Sequence, residues 1–199
     1  MREPDEATVR RDLGVGDRSP SLRTAISDAW KTTLSDYPHR AWWRRKATSA
    51  SIMWEHSVQN ATVAFASDRG CRVVPHNDTR SFVFDQSTLV RFKKADIELK
   101  SRNYPTFTAT LFHNHEAELP GFEDLHRVEA AYVLNDLQTA IEWIGIVARH
   151  KNDILWHFEL GAPAVVEELL LGTHELRPAA ERVIRPKAPP SSDQVVDKK

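Results

Sequence analysis

Three apolar runs in the second half of the chain alternate residue by residue, and the middle one is apolar on both faces. Arg127 to Leu134 sets Val128, Ala130, Tyr132 and Leu134 on one face. Ile141 to Arg149 sets Ile141, Trp143, Gly145 and Val147 together, and Ile154, Trp156, Phe158 and Leu160 form a third such row. Asn135-Asp136 and Lys151-Asn152-Asp153 are turn sequences between the runs, so the pattern predicts a three-strand antiparallel meander. Ile144, Ile146 and Ala148 oppose the first set on the middle strand, which demands that helices cover one side of the sheet.

Two helical stripes can supply that cover. Ser19-Pro20 is a helix start, and Leu22, Ile26, Trp30, Leu34 and Tyr37 recur at helical spacing until Pro38. Trp43, Ala47, Ala50, Trp54, Val58, Ala61 and Phe65 predict a second helix from Arg40 to Phe65, ended by Asp68-Arg69-Gly70. Val73-Val74, Phe82 to Phe84 and Leu89 to Lys93 read as further short strands. The expected fold is therefore α+β, with two N-terminal helices packed on an antiparallel sheet that ends in the meander, and with Trp54 and Trp143 buried. Pro105 to Phe112 fits a strand by its Thr-Phe-Thr-Ala-Thr alternation and a helix by its leading proline. Residues 1–18 are polar and aperiodic and predict a mobile arm. Residues 19–176 form a single domain in this reading, with a short apolar helix at 163–171. The proline-rich residues 177–199 predict a disordered tail.

With 199 residues and 41% hydrophobic side chains, the chain can bury one real core. A single cysteine, Cys71, leaves no internal disulfide and suits a reducing, cytoplasmic setting. The N-terminus has no apolar run to serve as a signal peptide, and no stretch reaches the ~18 apolar residues of a membrane span. The 27 Lys and Arg balance 28 Asp and Glu, yet charge is segregated. Residues 40–46 carry four positive charges and no acid, 91–102 carry net +3, and 116–129 carry net −4.

The most informative basic segment is Arg91-Phe92-Lys93-Lys94 followed by Ser101-Arg102-Asn103-Tyr104-Pro105-Thr106. In a strand, Arg91 and Lys93 share the face opposite Val90 and Phe92. Arg102, Asn103, Tyr104 and Thr106 then add donors and a ring on the following loop. Such a set suits a phosphate-bearing ligand or an acidic protein surface, and its plain alternative is a solvated edge strand. Arg44 and Arg45, with Arg40 and Lys46, are placed in the first helical turns, where positive charge opposes the macrodipole and a bound anion would relieve it. Trp42 or Trp43 could stack on a base there, whereas a solvated basic turn explains the charges without a ligand. His113-x-His115 could present two imidazoles on one strand face, but the rest of a metal site is missing, and neither metal nor cofactor is expected. Glu55, Asp85 and Lys93 follow the order of a restriction-type nuclease, but Arg91 stands where its second carboxylate belongs.

The order R-F-K-K, S-R-N-Y-P-T, Leu119-Pro120-Gly121 and the meander with its tryptophans resembles a small actinobacterial and phage family across residues 40–160. Members of that family are encoded beside a protein combining a helix-turn-helix domain with an ImmA/IrrE-type metallopeptidase-like domain. The resemblance implies a cytoplasmic toxin-like component of a toxin-antitoxin or phage-defence module, neutralised by that cognate partner. It carries over no catalytic residue, so an enzymatic reaction is neither implied nor excluded. Expressed alone, such a component is expected to self-associate as a homo-oligomer or be poorly soluble, and its partner to rescue it. The alternatives are a non-enzymatic interaction or regulatory protein and a nucleic-acid-binding module.

Overall fold

The computed structural model describes residues 3–76, 79–101 and 106–161. Six strands form one sheet whose spatial order follows the chain: β1 Cys71–His76, β2 Thr79–Phe84, β3 Thr88–Ala95, β4 His126–Leu134, β5 Ile141–His150 and β6 Asp153–Glu159. The fold is α+β, and β4 to β6 form the expected meander. The sheet is mixed, because β3 and β4 run parallel from Thr88↔His126 to Ala95↔Val133 while every other pair is antiparallel. Parallel neighbours need a long return path, and residues 96–125 provide it. Within that path Thr106 caps α4, Phe107–His113, by accepting from the Ala109 N–H at 3.2 Å. From Phe107 on, the ambiguous stretch is thus helical. A side-chain cap and the burial of Phe112 outweigh the strand-like threonines.

On one face of the sheet lie α2, Arg18–Asp36, and α3, Lys46–Ala64. Leu22, Ile26 and Met53 meet Phe82, Phe92, Val128 and Ile146 there, all with 2% exposure or less. The second helix starts six residues later than its stripe predicts. Arg40–Trp42 is a single 3₁₀ turn, and Trp43 and Arg45 are extended. Three arginines at a helix start would repel the macrodipole, and the chain stays non-helical until they are passed. Trp54 is half-buried against this core. Trp143 is half-buried on the opposite face, where its indole fills the space of a Gly145 Cβ. Neither reaches the full burial expected.

The N-terminal arm is a packed helix, α1, Glu6–Leu13. Asp5 caps it by accepting from the Thr8 N–H at 2.9 Å, and Val9 and Leu13 are buried in the main core. The Trp156 indole N–H donates to the Pro4 carbonyl at 2.8 Å, and the Asp5 N–H donates to His126 Nδ1 at 3.1 Å. Asp12, also buried, accepts from the Ser87 hydroxyl and from Thr88 Oγ1, the latter at 2.7 Å. Arg18 closes the arrangement: its guanidinium donates to the Asp12 carbonyl, to Asp68 at 2.7 Å and to Asp85. The same guanidinium holds the Asp68 carboxyl below the usual carboxylate range. Gly70 sits where any Cβ would overlap both Arg18 and Asp85. Residues 163–171 and 177–199, predicted as helix and tail, lie outside the described residues.

If α1 is structural, Leu13→Ala should cost about 3 kcal/mol in urea unfolding, as a buried leucine does. A mobile arm would leave the midpoint unchanged.

Candidate functional site

Strand parity sends Arg91 and Lys93 to the face opposite Val90 and Phe92, as expected, but that face is not open to solvent. Residues 107–125 fold back over it, so that Val83 and Leu89 of the sheet pack with Phe112, Leu119 and Phe122. Arg91 is consequently 7% exposed. Its Nε donates to Ser81 Oγ at 2.9 Å, and its guanidinium lies 4.4 Å from the Phe112 ring centroid. The crossover thus excludes, at Arg91, the solvated edge strand that is the plain alternative for this segment. Lys93 is half-buried. Desolvation lowers the Arg91 pKa to about 10 and pulls the Lys93 ammonium below its ordinary value. Lys94 lies on the other side of the strand, in a cleft of about 460 Å³ lined by Trp54, Glu55 and Tyr132. Its ammonium donates to Gln138 Oε1 at 3.3 Å.

Beside Arg91 in the parallel register stands Glu129, 1% exposed. Ser101 Oγ donates to its carboxylate at 2.8 Å, and His113 Nε2 lies 3.2 Å away. Arg149 Nη1 donates to both the hydroxyl and the carbonyl of Ser101 at 3.2 Å. The Lys93 ammonium is under the field of Glu129, Arg91 and Arg149, which puts all four in one belt. An apolar cluster flanks it on each side, Val83, Leu89, Phe112, Leu119 and Phe122 on one and Ala95, Ala131, Val133 and Val147 on the other. Burial pushes the Glu129 carboxyl up. Hydrogen bonds from His113 and Ser101, with the positive field of His113 and Arg149, outweigh this and leave it below the usual carboxylate range.

Among the described residues the belt holds more cations than carboxylates. Arg91, Lys93 and Arg149 face one carboxylate. Arg91 Nη2, Arg149 Nε and Glu129 Oε2 are buried without a hydrogen-bond partner among the described residues. Orphaned buried polar atoms cost on the order of 1–3 kcal/mol each, and clusters of perturbed titratable groups concentrate at functional sites. Arg127 does a different job. Its guanidinium donates to the carbonyls of Leu111, Asn114 and Ala117, fastening the crossover to the sheet.

The remaining sequence candidates separate. Thr106 is exposed and caps α4, while Arg102, Asn103 and Tyr104 lie outside the described residues. Arg44 and Arg45 are exposed on the α2–α3 connection, and Arg45 lines another cleft with Trp43. His113 and His115 sit at a helix end and in the turn after it rather than on a strand. His113 faces Glu129, and His115 Nε2 meets the Arg149 carbonyl at 3.0 Å. Glu55, exposed on α3, lines one cleft with Lys93, but Asp85 is held by Arg18 away from it, so the nuclease-like set is not assembled. Sequence reasoning missed Glu129, Arg149 and the role of His113. The available signal was an acid and an arginine, Glu129 and Arg127, at alternate positions inside an otherwise apolar strand. Comparison with known protein families, with curated proteins and with solved structures returns no match.

Two measurements follow from this geometry. Arg91→Ala should cost about 3 kcal/mol, because it leaves Glu129 with less compensation inside the belt. A loss within 1 kcal/mol would return Arg91 to the surface. His115 is 2% exposed, and burial, with Arg127 adding to it, lowers its pKa from 6.5 to about 4. The unfolded chain therefore takes up this proton before the folded one does. Stability should be full above pH 6.5 and fall as pH drops toward 4. His115→Gln should flatten that slope in thermal melts, and an unchanged slope would assign the acid sensitivity elsewhere.

Proposed function

We propose that the protein is a cytoplasmic toxin-like component of a toxin-antitoxin or phage-defence pair, and that it takes an anionic target group on Arg91, Lys93 and Arg149. The observation that carries the reading is the belt's surplus of desolvated positive charge around Glu129, with Arg91 Nη2 and Arg149 Nε unpartnered. A phosphate or carboxylate oxygen would supply the missing acceptors, and in a water-poor site such a charge-assisted bond is strong. Ser101, the first motif residue after the strand, pairs with Ala95 at the end of β3. It also bridges Glu129 and Arg149.

The toxin-like assignment rests on the family resemblance, which also implies a neutralising partner of the helix-turn-helix plus ImmA/IrrE type. Ile97 and Phe107, 82% and 78% exposed, flank the motif loop in sequence and offer apolar surface for such a partner to cover. No helix among the described residues is long and apolar enough to cross a membrane. A non-enzymatic docking role draws on the exposed acids Glu116, Glu118, Glu123 and Asp124, which suit a basic surface.

Expression of the full chain should arrest growth, and co-expression of the cognate partner should relieve the arrest. Lys93→Ala and Arg149→Ala should abolish the arrest while remaining folded by circular dichroism. Millimolar pyrophosphate should raise the wild-type melting temperature and leave both variants unmoved. Arrest that persists in both folded variants would remove the belt from the activity, and growth without arrest would favour the docking role.

A further inference from the structure

The connection from α2 to α3 exposes the one feature that the belt leaves unused. Trp42 is 78% exposed, although an indole is ordinarily a well-buried side chain. One face of its ring stacks on His39, with centroids 4.7 Å apart and planes 21° from parallel. The indole is thus held flat while most of its surface stays open. Arg44 and Arg45 follow it, both exposed and both without an ion pair among the described residues.

Beside this platform lies a cleft of about 480 Å³, walled by Trp43, Arg40 and Arg45 and by the 137–139 turn. Its walls carry two arginines and no acid, and its volume falls in the range of small-ligand sites. Tyr37 packs edge-on against Trp43 at 5.6 Å, and the Arg40 guanidinium lies 5.6 Å from the Trp30 ring centroid. Both wall residues are therefore positioned before any ligand arrives.

We propose that this surface binds single-stranded nucleic acid, with one base stacked on Trp42, its neighbour in the cleft, and the phosphate between them and the next one along the strand on Arg44 and Arg45. The pairing of a flat, supported aromatic ring with unpaired guanidinium groups is what a strand offers and needs: π-faces alternating with negative charge. A duplex keeps its bases stacked on each other and cannot present a face to Trp42. An acidic peptide matches the arginines but leaves the indole idle.

The test uses the full chain and a fluorescein-labelled ten-nucleotide oligo(U), followed by anisotropy between 50 and 200 mM salt. The single strand should bind and quench tryptophan emission. Trp42→Ala should weaken binding at least tenfold and reduce the quench, and Trp42→Phe should recover much of the affinity. Arg44→Ala with Arg45→Ala should reduce the slope of log affinity against log salt by about 1.4, the share of two phosphates on a single strand. The proposal is overturned if oligo(U) fails to bind, or if Trp42→Ala binds as wild type does. It is equally overturned if duplex RNA, polyglutamate or phosphatidylserine vesicles bind as tightly with the same dependence on Trp42. Growth arrest plays no part in these readouts, so the result stands apart from the belt.

Discussion

The parallel pairing of β3 with β4 decides most of what else this chain can do. Two strands side by side in the same direction cannot be joined by a hairpin, and residues 96–125 must travel the length of the sheet and return. That travel lays α4 and its following turns over the face that α1 to α3 leave uncovered. β4 is thereby buried on both sides from Arg127 to Val133. A hairpin at the same place would have left Arg91, Lys93 and Glu129 in water, where their charges would be ordinary.

Burying those charges is expensive, and the structure meets the cost only in part. Glu129 has donors on one oxygen, Arg91 has one hydroxyl and an aromatic face, and Arg149 reaches Ser101. An apolar filling of the same volume would be at least as stable, since desolvation of ions commonly exceeds their mutual attraction. The Arg18 cluster at the other end of β3 makes a useful contrast. There one guanidinium meets two carboxylates and a carbonyl, and the geometry is closed. The Arg18 cluster closes on itself, whereas Arg91 Nη2, Arg149 Nε and Glu129 Oε2 have no hydrogen-bond partner among the described residues.

The meander was legible because alternation over seven to ten residues has a single structural solution when both turns are also marked. The helix stripes of α2 and α3 were legible for the same reason, apart from the start of α3, where repulsion between arginines and the helix dipole outweighs the apolar stripe. α1 was not legible, because Val9 and Leu13 are only two apolar residues among charges, and two points do not define a period. Its order comes from distant partners, His126, Trp156, Ser87 and Thr88, none of which is adjacent in sequence. Arg91 shows a different limit. Parity told which side of the strand it leaves from, and nothing in the strand could tell that the later segment beginning with α4 would cover it. Glu129 was hidden within a run of acids whose other members are exposed.

The bond from Trp156 to the Pro4 carbonyl spans 152 positions of the chain. A ribosome delivers Pro4 first and Trp156 only after nearly all of the sheet, so α1 emerges long before the strand that holds its leading end exists. Its two buried side chains must wait, beside a nascent sheet that lacks its final edge. The latch on α1 is a contact of high sequence separation, the kind that forms late and stays open during synthesis. For as long as β6 is still inside the exit tunnel, the half-made chain offers the rest of the cell an unlatched core.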